Sequence, residues 1–296
     1  MAKKLMLLVN PNAGKGQYKS CLAEVLNVLC AGDMIPTVYY TRYPGNAGEL
    51  IKAHADEYDV VACMGGDGTL SEVVSGMIHL EKQKPIGYIP LGTANDVAKT
   101  LGLDVKEPIR NAKRIVSGSP VSYDVGQFGT DDYFTYISAF GAFTEVSYVT
   151  SQELKHSFGH MAYMLEGIKR LPKLTSYKAI VEHDGGVIRD DFVFGAITNS
   201  TSVAGLVKLD SDKVGLSDGM FEVLLVKTPQ TIKALSDIAT GILNNNFDQQ
   251  NVVFIKSKEV RIMFEKPAAW TRDGEDGGVH QDVFIVNRHP GVEILV

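Results

Sequence analysis

Long hydrophobic runs, metal-ligand clusters and an excess of basic charge are all missing from this chain of 296 residues. No apolar run approaches the ~18 residues of a bilayer-spanning helix, so no transmembrane segment is expected. The apolar start, Leu5 to Val9, is far shorter than a signal-peptide core and stops at Asn10-Pro11, so it reads as a first strand. With 29 basic against 35 acidic residues the net charge is −6, which argues against a nucleic-acid partner. Cysteine is scarce, and Cys21, Cys30 and Cys63 sit in apolar periodic segments without ligand spacing. They read as free core thiols of a protein in a reducing, cytoplasmic compartment, which excludes a disulfide scaffold. The 7 histidines are scattered without the paired spacing of metal ligands. Internal repeats and low-complexity linkers are also absent.

What is present is the composition of a soluble globular protein, 45% hydrophobic and 22% charged, with length for two domains. The first part alternates β and α patterns. Leu5 to Val9, Thr37 to Tyr40, Val60 to Met64 and Ile86 to Ile89 are short apolar runs, and each leads through a loop to a helical segment. The last run leads to Pro90-Leu91-Gly92-Thr93-Ala94-Asn95-Asp96, where Thr93 and Asp96 mark a helix start before Val97, Ala98 and Leu101. Four such units predict an open, doubly wound α/β sheet with ligands at the C-terminal ends of its strands. After a helix over Glu107 to Val116 the period changes. Strands are predicted at Tyr133 to Phe140, Tyr177 to Val181, Val187 to Ala196, Met220 to Val226, Val252 to Phe264 and Val279 to Val286, with hairpin turns at Gly129-Asp132 and His183-Gly186. Two helices interrupt them, Phe158 to Arg170 and one opening at Thr228-Pro229. The expected fold is an N-terminal doubly wound α/β domain, 1–120, and a C-terminal antiparallel β-sandwich, 121–289.

The strand ending at Met64 opens onto Gly65-Gly66-Asp67-Gly68-Thr69, three glycines around one carboxylate. Glycines let backbone N–H groups approach an anion, and Thr69 with Glu72 has the spacing of a capping box at a helix N-terminus. Neither standard phosphate fingerprint fits. Asn10-Pro11-Asn12-Ala13-Gly14-Lys15-Gly16 lacks the first glycine of a P-loop and the hydroxyl residue after its lysine, and the glycine run lacks the third Rossmann glycine. If strands three and four are neighbours, Asp67 and Asp96 lie side by side. Two carboxylates beside a phosphate repel it unless a divalent cation intervenes, which implies Mg²⁺.

Gly65-Gly66-Asp67-Gly68-Thr69, Pro90 to Asp96, Asp124-Val125-Gly126 and Asp273-Gly274-Glu275, in that order, resemble the diacylglycerol kinase catalytic family, and more narrowly its soluble bacterial lipid kinases. The glycine core alone is shared with NAD kinases and phosphofructokinases. The resemblance covers nearly the whole chain. It implies an ATP- and Mg²⁺-dependent transfer of the γ-phosphate to a lipid hydroxyl, most plausibly that of diacylglycerol. Carried over by residue, Asn10, Thr41, Gly65, Gly66, Asp67, Gly68, Thr69, Glu72 and Thr93 would contact ATP. Asp67, Asp96 and Asp124 would organise catalytic Mg²⁺, Asp273 would accept the hydroxyl's proton, and Glu275 would support the site. Gly215, Asp218 and Met220 would hold a structural Mg²⁺. A final strand, about residues 290–296, would return to the first domain.

The chain departs from the family pattern at Ala13, where Ser is usual, and at Arg272, where an apolar residue is common. Asp273-Gly274 on its own reads sooner as a hairpin turn than as a site, and only the resemblance makes Asp273 the base. A lipid acceptor implies transient contact with a membrane surface, to which the segment from His156 to Lys173 is suited. Monomer and homodimer both remain open. The rivals are a kinase of another lipid or of NAD, and a nucleotide-binding regulatory protein without catalysis.

Overall fold

The computed structural model of the chain describes residues 2–142, 175–200, 202–203, 207–208, 215–243 and 250–296. The predicted β–α alternation is present. Strands β1 (Lys3–Val9), β2 (Met34–Tyr40), β3 (Val60–Gly65) and β4 (Ile86–Pro90) run parallel in the order β4-β3-β1-β2. Helices cover both faces, which is why these strands read as continuous apolar runs. Leu5, Leu7, Val9, Ala62 and Met64 pack with Val25 and Leu29 of α1 (Tyr18–Ala31) and Ala112 and Ile115 of α5 (Pro108–Ser117). The alternate residues Met6, Leu8, Val61 and Cys63 pack with α2 (Asn46–His54), α3 (Asp67–Ile78) and α4 (Asp96–Thr100). Each fully buried Leu, Val, Ile or Met among them contributes ~1.5–3 kcal/mol of transfer free energy. All three cysteines are free, but only Cys63 is in the core, and Cys30 on α1 is exposed.

The second part is antiparallel. It comprises β5 (Pro120–Phe128), β6 (Asp132–Phe134), β7 (Ile137–Gly141), β8 (Tyr177–His183), β9 (Gly186–Thr198), the two-residue pair β10 (Ser202–Val203) and β11 (Val207–Lys208), β12 (Phe221–Lys227), α6 (Ile232–Leu243), β13 (Val252–Ser257), β14 (Glu259–Arg272) and β15 (Glu275–Leu295). Where two separate packed sheets are expected, the pairing closes on itself. β9 pairs β8 through its first half and β7 and β12 through its second, while β14 pairs β8 early and β7 late. The two long strands therefore serve both layers. The β14–β15 register shifts between Met263 and Ala268, the stretch holding Pro267, which has no N–H to give the ladder. Inside lies an aromatic core of Phe128, Phe134, Phe140, Phe192, Phe221, Phe264 and Trp270.

Three details differ from the sequence reading. The run Tyr133 to Phe140 is two strands, β6 and β7, parted at Thr135 and Tyr136. The run Val252 to Phe264 is two strands broken at Lys258. Helix α6 starts at Ile232, and the Thr231 hydroxyl, not Pro229, sets its start by accepting the Ala234 N–H at 3.0 Å. The helix predicted over Phe158 to Arg170 lies outside the described residues. Among the described residues no helix is long and apolar enough to cross a membrane.

The last strand joins the two parts. β15 pairs β5 in antiparallel register from Val292↔Tyr123 to Leu295↔Pro120, and Ile294 pairs Ile86 of β4 in parallel. One hydrogen-bonded sheet of 13 strands results.

Trp270 is the chain's single tryptophan, and its indole N–H is buried without a partner. Trp270→Phe removes that unpaired donor while keeping an aromatic ring and is expected to cost less than about 1.5 kcal/mol. Trp270→Ala opens a cavity and is expected to cost about 3–5 kcal/mol. Urea unfolding followed by far-UV circular dichroism checks the pair, and equal losses would show that the N–H matters more than the ring volume.

Candidate functional site

The chain passes from β1 outward to β2 and then back across to β3, so the loops after β1 and β3 leave in opposite directions and open a crevice at the C-terminal edge. There the Asn10 side-chain amide donates to the Thr69 hydroxyl at 2.9 Å and ties the two loops. The two glycine loops touch backbone to backbone. A Cβ on Gly92 would lie 2.6 Å from the Gly66 Cα, so neither position accepts a side chain without displacement. Gly68 has the opposite reason to be glycine. A Cβ there would face the crevice and meet only the Glu275 carboxylate, at 3.9 Å. A ligand can therefore approach this backbone closely.

Of the residues singled out from sequence, Asn10, Thr41, Gly66, Gly68, Thr69, Glu72, Thr93, Asp273 and Glu275 line this one cleft, of about 1060 Å³. Gly65 ends β3 beneath it, packed against the Thr69 side chain. The capping box at Thr69 and Glu72 is not formed. Helix α3 begins two residues earlier, at Asp67, so Thr69 lies inside its first turn and Glu72 in its body. Glu72 instead accepts the Ala47 N–H at 3.0 Å and caps α2.

Asp67 does the same for α4. Its two carboxylate oxygens accept the N–H groups of Asp96 and Val97 at 3.0 and 3.2 Å, an N-cap supplied from a neighbouring strand end. This places Asp67 and Asp96 side by side, as the strand order predicts. Burial pushes the Asp67 carboxyl up to about 6, the two amides pull it down, and the charges of Asp96 and Asp273 raise it further. Each Asp67 oxygen keeps a second lone pair, so the Asp67–Asp96 pair suits a divalent cation.

On the opposite wall, Asp273 and Gly274 form a two-residue hairpin between β14 and β15 with φ of 48° and 83°. Asp-Gly is the favoured pair for such a turn, so the turn reading of this dipeptide holds as well. The carboxylate is buried and accepts from Thr135 N and Oγ1 at 2.7 and 2.8 Å, and from Tyr136 N and Ile137 N at 3.0 and 3.2 Å. Burial raises its pKa, and the Thr135 and Tyr136 amides together with the hydroxyls of Ser71 and Thr135 oppose that rise. Thr135, between β6 and β7, gives no signal in the sequence, because its role depends on a partner 138 residues away.

Asp124, like Asp67 and Asp96, stands outside the cleft lining. It is fully buried on β5, where it accepts the Gly219 N–H at 2.7 Å and lies 2.7 Å from His289 Nδ1, and it does not line the cleft. Its contacts hold the turn at 215–220 against β5. That turn contains the residues expected to bind a structural cation. Asp218 accepts the Met220 N–H at 3.0 Å, and its other oxygen takes the Lys256 ammonium at 3.1 Å. Lys256 also stands 3.3 Å from the buried Glu222. In this arrangement the positive charge beside Asp218 is the Lys256 ammonium. Among the described residues no group of three or more His, Cys, Asp or Glu side chains could hold a metal.

Burial raises the Glu222 carboxyl to about 7 from 4.5, Lys256 opposing. A raised carboxyl is held ionised in the fold only above that value, so its burial cost is full above pH 7 and is relieved as pH falls through it. Lys256→Met is therefore expected to destabilise by about 2 kcal/mol at pH 8, discounted for the partial exposure of the lysine, and by less at pH 6. EDTA is expected to leave the thermal midpoint of the unmodified protein unchanged. A midpoint lowered by EDTA in the unmodified protein but not in Asp218→Asn would restore the cation at Asp218.

Comparison with known proteins gives one answer. Residues 4–128 match the diacylglycerol kinase catalytic domain. The chain is 32% identical over 279 residues to a diacylglycerol kinase of Staphylococcus carnosus (strain TM300), covering 94% of this chain and 90% of that one. It is 29% identical over 284 residues to one of Bacillus subtilis (strain 168), covering 96% and 93%. A crystal structure of a candidate diacylglycerol kinase from Bacillus anthracis str. Sterne matches with a TM-score of 0.83 at 25% identity, over 99% of this chain and 96% of that one. The chain belongs to the diacylglycerol kinase family.

Proposed function

We propose that this protein is an ATP-dependent lipid kinase that phosphorylates diacylglycerol to phosphatidic acid. The observation that carries the reading is a buried carboxylate, Asp273, facing the glycine loops across one cleft. Residues 1–120 with the end of β15 would form the nucleotide-binding domain, and residues 121–289 the lipid-binding one. The phosphates of ATP would lie along Gly66, Gly68 and Gly92, where backbone approach is unobstructed or only glycine fits. The positive end of α3 favours them there. Mg²⁺, when bound at Asp67 and Asp96, would neutralise charge on the phosphates.

Phosphoryl transfer asks the protein mainly for position and electrostatics. The acceptor hydroxyl attacks the γ-phosphorus, its O–H bond breaks as the new P–O bond forms, and ADP leaves. Asp273 would take the proton. Its three amide partners are fixed backbone, whereas the Thr135 hydroxyl can rotate away and free a lone pair of Oδ2. A pKa raised by burial improves this carboxylate as a base, since a general base works best with a pKa nearer the working pH. Glu275, close to Gly68 from the other wall, would help to close the cleft around the transferring group. A lipid acceptor requires transient contact with a membrane surface.

Purified protein with Mg·ATP is expected to phosphorylate diacylglycerol in mixed micelles in preference to monoacylglycerol, ceramide, sphingosine and phosphatidylglycerol. No transfer to any of them would sink the kinase reading. Asp273→Asn is expected to lower kcat by at least about 100-fold while ADP affinity measured by calorimetry stays within about threefold. The amide also turns two donors toward backbone N–H groups, so a stability loss of about 1–3 kcal/mol is expected with it. Activity retained in Asp273→Asn would remove the base assignment.

A further inference from the structure

Arg272, like Ala13, lines the cleft and departs from the family pattern, and its surroundings are unusual for an arginine beside a buried carboxylate. It directly precedes Asp273 and lines the same cleft. It does not pair with Asp273, whose oxygens are taken by the donors of Thr135, Tyr136 and Ile137. Its guanidinium instead lies over the Phe128 ring, 5.4 Å from the centroid, and Nη1 reaches Asp132 at 2.7 Å. Nε is buried with no hydrogen-bond partner. A planar ion held by a ring face and one carboxylate at the cleft's lip is fixed in direction, yet a guanidinium has five N–H donors to spend.

The charge around it gives those donors a purpose. The wall formed by β6, β14, β15 and their turns contributes five carboxylates to the cleft, Asp131, Asp132, Asp273, Glu275 and Asp276. Arg272 is the single Lys or Arg that this wall contributes among the described lining residues, since Arg42 and Lys52 belong to the opposite side. A polyphosphate brought against five carboxylates is repelled. In a phosphoryl-transfer transition state, moreover, negative charge spreads over the equatorial oxygens of the group moving toward Asp273. We infer that Arg272 is a catalytic residue that donates hydrogen bonds to the transferring phosphoryl group, supplied from the acceptor wall of the cleft. The inference rests on the kinase reading and adds to it a cation on the acceptor side. Arg suits the task better than Lys because its fork contacts two phosphoryl oxygens at once.

The test compares the unmodified protein with Arg272→Met and Arg272→Lys, after thermal unfolding has shown that each is folded. With Mg·ATP and diacylglycerol micelles, Arg272→Met is expected to lose about 100-fold in kcat while KM for both substrates stays within about threefold. Arg272→Lys should recover part of the loss, and added guanidinium at non-denaturing concentration should partly restore Arg272→Met. A second measurement needs no lipid. Aluminium fluoride should tighten Mg·ADP binding to the unmodified protein in calorimetry, because it places a phosphoryl mimic beside ADP. In Arg272→Met that tightening should vanish while ADP alone binds as before. A kcat within threefold of the unmodified protein, or undiminished tightening, overturns the inference. An unmodified protein that phosphorylates no lipid overturns the kinase reading instead, and the fluoride comparison then decides Arg272 separately.

Discussion

The cleft depends on carboxylates that are buried against backbone N–H groups belonging to other elements. Asp67 caps α4, Glu72 caps α2, Asp124 holds Gly219, and Asp273 receives three successive amides from 135–137. In each case one group needs acceptors that its own chain segment does not provide, and the other needs donors. An ionised carboxylate out of water is costly unless hydrogen-bonded, and an uncapped helix end is costly too. Pairing them removes both costs and fixes the spacing of the elements. The Asp67 bond makes the glycine loop and the Pro90–Asp96 loop one unit, and the Asp273 bonds make the β14–β15 hairpin one unit with β6 and β7.

These bonds also set the chemistry. The raised pKa values of Asp67 and Asp273 share burial as their largest cause, yet the outcomes they serve differ. Asp67 lies beside Asp96, whose N–H it accepts while the Asp96 carboxylate pairs with Lys99. Asp273 is held on the facing wall by three backbone amides and by the Thr135 hydroxyl, which can reorient. The wall itself is carried to the nucleotide side by β15, whose end pairs β4 and β5 together. Without that pairing the glycine loops and Asp273 would have no fixed separation, and positioning is most of what phosphoryl transfer needs from a protein.

The glycine loops, the β–α alternation and the change to antiparallel strands were legible because they rest on local rules. An apolar run buried on both faces, a glycine that another backbone touches and an Asp-Gly turn each leave their mark within a few residues. The Thr69–Glu72 spacing misled for the same reason. Capping boxes are local, whereas Glu72 found its partner in α2 and Asp67 found its own in α4. Lys256 was invisible as the counter-ion of Asp218, since only the β12–β13 register, Glu222 opposite Lys256, brings it there. Asp124 was assigned to the metal network by motif order, but β5 turns it toward Gly219 and His289.

The sequence by itself determined the class of the fold, the strand ends that meet the ligand and the family. These are fixed by short-range periodicity, by turn chemistry and by four motifs in order. Tertiary structure alone decided which N–H groups each carboxylate accepts and which carboxylates face the cleft. The reason is physical: a buried charge is governed by the donors around it, and here those donors come from segments tens to more than a hundred residues away.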